Sequence, residues 1–210
     1  MIHIKKADKP AEIFLNTKKK YSSYNEIDDG NEKASMREQL IKEQGRLCAY
    51  CMNGINLRRS SIEHYIPRNG INGNLSLSLD YRNMFAVCCG DTGNGKTNTH
   101  CDKSKGARLL NIDPRKEEDI EQIKYKRDGR IYSENPAFDK DLNETLNLNQ
   151  INLKNNRRSA LNAVLAMANK KSLEWNKENL QLMIEYYSKN CVPYVGIIRW
   201  FLNERQERIK

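Results

Sequence analysis

Apolar residues recur at helical spacing over the last third of the chain. Leu161, Val164, Leu165 and Ala168 fall at i, i+3, i+4 and i+7, and Leu180, Met183 and Tyr187 carry the stripe into a following segment. Ile197, Ile198, Phe201 and Leu202 form a third stripe, with Pro193 suited to the first turn of its helix. Stripes of this kind predict helices packed on a common core. Near the start, AEIFLNTKKKYSSYN and KASMREQLIKEQ predict two more helices, separated by the turn signal Asp29-Gly30-Asn31. Ser35 with Glu38 three residues later has the form of a capping box, and Gly45 is a natural helix stop. The helical period is lost over residues 46–110, which are rich in Gly and Asn. Farther on, IKYKRDGRIYS alternates around Asp128-Gly129, the pair that a two-residue type I′ hairpin turn prefers. The pattern therefore divides the chain into four parts: a helical lead-in at 1–45, a cysteine-bearing region at 46–110, a mixed segment with a β-hairpin at 111–147, and a helical region at 148–210. No internal repeat is visible.

Composition narrows the class. The chain has 210 residues, 38% of them hydrophobic, with a mean hydropathy of -0.83. That length predicts one domain or two small ones, with enough Leu, Ile and aromatic residues for a modest core. No run approaches the ~18 apolar residues of a membrane span. The first residues lack the ~7–15-residue apolar stretch of a secretory signal, so a cytoplasmic location and no membrane partner are expected. The net charge is +9. Such a surplus suits an acidic partner, nucleic acid above all, but it also suits a basic surface that only confers solubility.

Five of the six cysteines, Cys48, Cys51, Cys88, Cys89 and Cys101, fall within one stretch, while Cys191 stands apart and is expected to be a small buried apolar residue. In a cytoplasmic chain such a cluster favours metal over disulfides. Cys48-Ala-Tyr-Cys51 has the spacing of a zinc knuckle; a redox pair is the alternative, but no thioredoxin-like pattern surrounds it. The remaining ligands would come from Cys88 or Cys89 and from Cys101, with His100 able to replace a thiolate. We favour Cys88.

Between the cysteine groups lie Ile62-Glu63-His64-Tyr65-Ile66-Pro67-Arg68 and LDYRNMFAVCC, which contains Asn83; HCDKSKG follows, with Asp102 and Lys105. The succession CxxC, (D/E)H-x-x-P, N-x-x-x-x-C, C-(N/D)-x-x-K-G resembles the HNH endonucleases, whose zinc-braced ββα-metal core is flanked here by helices at both ends. The longer string, including ENPAFDKDLNETLNLN and NNRRSAL, resembles the PtuB-type nuclease subunit of Septu and retron-associated anti-phage systems, over about residues 45–165. The resemblance implies an α+β, mainly helical protein. It also implies phosphodiester hydrolysis of DNA, with tRNA or other RNA as an alternative target, and a PtuA-type ATPase partner. Self-association is left open.

The chemistry can be assigned residue by residue. His64 is the expected general base, because an imidazole titrates near working pH. Adjacent Glu63 would point to the opposite side of a strand unless the strand breaks there, and Pro67 and Gly70 favour a break. Glu63 and Asp102 would then hold a catalytic Mg²⁺ or Mn²⁺, while Cys48, Cys51, Cys88 and Cys101 hold a structural Zn²⁺. Asp102 stands where many HNH enzymes carry Asn or His. By resemblance, Asn83 pins the segment bearing His64. Arg68, Lys105 and Lys96 are expected phosphate contacts. Arg58-Arg59 and Arg157-Arg158 read as solvent-facing charge pairs. Two rival readings remain. One is a zinc-stabilised nucleic-acid-binding module without catalysis. The other is a P-loop nucleotide-binding protein, because Gly90–Thr97 matches G-x-x-x-x-G-K-T. No second nucleotide-site strand and no βαβα alternation accompany that string.

Overall fold

The computed structural model describes residues 1–28, 30–90 and 98–209. Within them the protein is α+β and mainly helical, with two separate two-stranded antiparallel sheets.

Helices α1 (Glu12–Lys20) and α2 (Asn31–Glu43) form the lead-in, joined through a 3-10 turn at Tyr24–Glu26. Met36, Leu40 and Ile41 bury one face of α2. That face draws the helix back to Asn31, so Ser35 lies exposed in its interior and makes no capping box. Gly45 ends the helix as expected: its φ of +61° is one a side chain adopts at a cost. Asp29, the first residue of the expected turn, lies outside the described residues.

Strands β1 (Ser60–His64) and β2 (Met84–Cys88) pair antiparallel, with Glu63 opposite Phe85 and His64 opposite Met84. All of β2 is buried. Side chains and turns serve its outer backbone, Gln44 above all. The Gln44 amide donates to Ala86 O at 2.7 Å and accepts from Ala86 N at 2.8 Å, which continues the ladder with a side chain. Short helix α3 (Asp102–Lys105) completes a ββα unit.

The mixed segment holds α4 (Glu117–Glu121), β3 (Ile123–Tyr125), β4 (Ile131–Ser133) and α5 (Pro136–Lys140), followed by a π-helical turn at Asp141–Thr145. The β3–β4 hairpin is present, but its loop differs from the expectation. Lys126 N bonds Arg130 O at 2.8 Å and Gly129 N bonds Lys126 O at 2.9 Å, so three residues turn the chain and Gly129 takes φ +90°. After the π-helical turn, the Leu146 carbonyl accepts from Cys101 N at 2.9 Å and so anchors the end of the cysteine region.

Helices α6 (Ile151–Lys170), α7 (Lys177–Lys189) and α8 (Val195–Arg208) bury the three apolar stripes read from the sequence. Helix α8 starts two residues after Pro193, beyond Tyr194 in a left-handed conformation. There Tyr194 N bonds Met52 O at 2.9 Å, seating α8 on the first cysteine pair. Three expectations fail in this region. Pro193 lies ahead of the first turn of α8 and not within it. Cys191 is exposed. Arg157 is 0% exposed, donating to Gly129 O at 2.6 Å, Leu148 O at 2.7 Å and Asn149 Oδ1 at 3.2 Å, whereas its neighbour Arg158 faces solvent. No described helix is long and apolar enough to cross a membrane.

Candidate active site and metal centre

Cys48 and Cys51 from the turn after α2, Cys88 from the end of β2 and Cys101 from the start of α3 form one buried cluster whose sulfurs all lie within 4.8 Å of one another. The Cys48–Cys101 Sγ separation is 3.9 Å and that of Cys51–Cys88 is 3.7 Å. Tetrahedral Zn–S bonds of about 2.3 Å require sulfurs about 3.8 Å apart, so the four thiols fit a zinc ion. The backbone is shaped for it. Met52 takes φ +62° to turn the first knuckle, and Asn53 N–H points at Cys51 Sγ from 3.5 Å. Cys89, just past the end of β2, is exposed and outside the cluster. His100 is buried beside it, with Nδ1 3.2 Å from Cys101 Sγ and 3.8 Å from Cys88 Sγ.

Strand β1 runs unbroken through Glu63 and His64, contrary to the break expected there. Consecutive strand residues project to opposite faces, and each meets its own surroundings. Glu63 is buried, accepts from Tyr50 Oη at 3.1 Å and pairs with Lys105 Nζ at 2.7 Å. Burial, and then a proton shared with the Asp102 carboxyl, push the Glu63 pKa up to about 8 against the pull of Lys105. Lys105 corrects a second expectation. Its side chain is 1% exposed and also donates to His64 O at 3.3 Å, so it holds the strand end from within, in place of the solvent-facing phosphate contact expected of it.

His64 Nε2 lies 2.9 Å from the carbonyl oxygen of Ser78. A carbonyl can only accept, so Nε2 carries the proton and Nδ1 keeps its lone pair. Burial lowers the His64 pKa to about 4, and the nearby Arg68 charge adds to this, so the ring is neutral at pH 7. The Asp102 carboxylate acts on both Glu63 and His64 across the strand. Asn83 braces the segment after His64: its Oδ1 accepts from Ile66 N at 2.7 Å, and its Nδ2 donates to Ile66 O at 3.0 Å and Leu77 O at 3.2 Å. Arg68 is half-buried, bonded to Asn25 Oδ1 and stacked over the Tyr24 ring.

The structure thus brings Glu63, Asp102, Lys105 and Tyr50 together at one side of β1, and His64, Ser78, Tyr24 and Arg68 at the other. Tyr50 and Tyr24 carried no motif signal. Lys96 and the rest of the P-loop-like string after Gly90 lie outside the described residues. Gly90 has its own reason to be glycine. Its φ is +61°, and a Cβ there would stand 2.2 Å from His100 O, the carbonyl of the residue whose N–H bonds back to Gly90 at 2.9 Å.

Part of the chain is similar to a protein described as a "putative HNH endonuclease". The likeness is to a protein of Vibrio cholerae serotype O1 biovar El Tor described as "Retron Vc95 putative HNH endonuclease", with 33% identity over 82 residues. The match covers 39% of this chain and 38% of that relative's length. No family model matches the chain.

Proposed function

We propose that this protein is a metal-dependent HNH endonuclease that hydrolyses phosphodiester bonds, with DNA the favoured substrate. The observation that carries the reading is the state of His64. Its Nε2–H is spent on the Ser78 carbonyl, which leaves the Nδ1 lone pair for a proton, and the ring sits on a strand beside a thiol cluster of zinc geometry. In this reading Nδ1 takes a proton from the attacking water. Asn83 keeps the following segment in place, and Arg68 meets a substrate phosphate. Asp102, whose charge acts on both Glu63 and His64, would hold the Mg²⁺ or Mn²⁺. Glu63 would join it by exchanging Lys105 and Tyr50 for the ion, and when bound the ion would supply positive charge to the phosphoryl and leaving oxygens. The HNH likeness and the basic charge of the chain support the same reading. A role as effector of an anti-phage complex with a PtuA-type ATPase belongs to the proposal and rests on sequence resemblance.

One observation favours a second reading, a zinc-stabilised nucleic-acid binder without catalysis. The Glu63 carboxylate is already engaged by Lys105 and Tyr50. His64→Ala separates the two readings. An endonuclease loses Mg²⁺-dependent cleavage of DNA or RNA by about 10²–10⁴-fold while keeping its zinc and its fold. A wild-type chain that binds nucleic acid but gives no metal-dependent cleavage, alone or with its partner, establishes the second reading.

A further inference from the structure

A hydrogen bond from Nε2 leaves an imidazole one freedom. With Cβ set by the strand and Nε2 set by the Ser78 carbonyl, the ring still pivots about the line from Cγ to Nε2. That motion swings Nδ1, the atom with the free lone pair. Something else must stop it if Nδ1 is to meet water in one place.

The N-terminal lead-in supplies the stop. The Tyr24 ring meets the His64 ring edge-to-face, with centroids 4.8 Å apart and planes at 76°. Aromatic rings prefer this arrangement, and it opposes rotation of either plane. Tyr24 is itself held from several sides. Its backbone N–H donates to Ser78 Oγ at 3.3 Å, so one residue, Ser78, holds the Tyr24 main chain by its hydroxyl and the His64 ring by its carbonyl. The guanidinium of Arg68 lies 4.8 Å from the Tyr24 ring centre and the ammonium of Lys33 lies 5.0 Å from it. Arg68 is tied in turn to Asn25, the next residue of the same turn.

We infer that Tyr24 is a positioning residue for His64, and that the N-terminal lead-in is part of the active site and not an accessory to it. This rests on the nuclease reading of His64. Tyr24 touches neither water nor phosphate in this role; it fixes where Nδ1 points. A misplacement of about 1 Å at a reacting atom costs about 100-fold in rate.

The test compares wild type, Tyr24→Phe, Tyr24→Leu and His64→Ala in Mg²⁺-dependent cleavage under single-turnover and steady-state conditions, with the partner present if the chain requires it. Zinc content and circular dichroism confirm folding of each. Tyr24→Phe keeps the ring and retains the rate within about threefold. Tyr24→Leu loses about 100-fold in kcat with KM unchanged. NMR gives a readout independent of activity. The chain has three histidines, so the His64 ring signals are assignable by their absence in His64→Ala, and Tyr24→Leu shifts them by removing the neighbouring ring current. Full activity in Tyr24→Leu, His64 signals that do not move, or a loss confined to KM, which would make Tyr24 a substrate contact, each overturns the inference. Wild-type protein without His64-dependent cleavage overturns the nuclease reading instead, and the NMR comparison still decides whether the Tyr24 ring packs on His64 in solution.

Discussion

The cysteine region and the C-terminal helices of this protein are ordered by different means. Residues 46–110 hold buried Ser60, Glu63, His64, Ser78, Asn83, His100 and Lys105 around five-residue strands and four thiols. Residues 148–210 form three long helices packed along apolar stripes, with Gln150 and Arg157 as the buried polar side chains among those described. In the first region each atom needs a particular partner, so single substitutions act through lost chemistry. In the second, burial is spread over many similar contacts, and a residue of the right size can be exchanged for another. The candidate site sits in the first region, where particular partners give side chains defined directions, which apolar packing alone does not provide.

The largest expected effect breaks the first region outright. Cys101→Ser, or a strong chelator, removes a zinc contribution on the order of 10 kcal/mol. Metal analysis should give one zinc per wild-type chain and little in the variant, and urea unfolding should show the loss of the cooperative transition. A variant as stable as wild type would mean that the thiols are not a metal centre. A smaller effect is expected from Arg157→Leu, which brings the chemistry of the first region to the second. It strands the carbonyls of Gly129 and Leu148, and urea unfolding should show a loss of about 3 kcal/mol. The figure is held down because Arg157 Nη1 has no partner among the described residues. If the loss instead resembles that of an exposed arginine, the helices tolerate polar substitution more broadly than this contrast allows.

The smallest effect concerns pH, at the seam between the lead-in and β2. Lys6 Nζ donates to Met84 O at 2.6 Å and lies over the rings of Tyr81 and Phe85. Burial lowers its pKa from 10.5 to about 8. Between those values the unfolded chain binds the proton that the folded chain has released, so this group adds stability as pH rises from 8 to 10.5 and costs stability at neutral pH. Lys6→Met should flatten that part of the stability curve, as read by unfolding at pH 7, 8.5 and 10.

Much of the site could be read from residue order. A thiol pair at CxxC spacing predicts a knuckle because two ligands on one tight turn can reach one ion, and the structure adds Cys88 and Cys101 to Cys48 and Cys51. The helical stripes were equally legible, because a 3.6-residue period identifies a buried face without reference to the rest of the fold. What escaped was long-range. Arg157 reads as half of a solvated pair until the hairpin carbonyl of Gly129 arrives above it. Lys105 reads as a phosphate contact until Glu63 is found against it. Tyr24, forty residues before His64, carries no local mark of its contact with that ring. The Asp128-Gly129 signal found the hairpin but not its three-residue loop, because the same pair serves two turn geometries that differ by one residue.

The bond from Arg157 to the hairpin has a consequence for how this chain can be divided. Gly129 fits so closely against α6 that an added Cβ would lie 2.0 Å from the Lys154 carbonyl. The guanidinium meanwhile reaches from that helix into the tip of the hairpin. A break near residue 147, where the sequence pattern changes, would take the guanidinium from the Gly129 and Leu148 carbonyls and uncover the hairpin tip, so the two parts are expected to hold together better when moved as one piece.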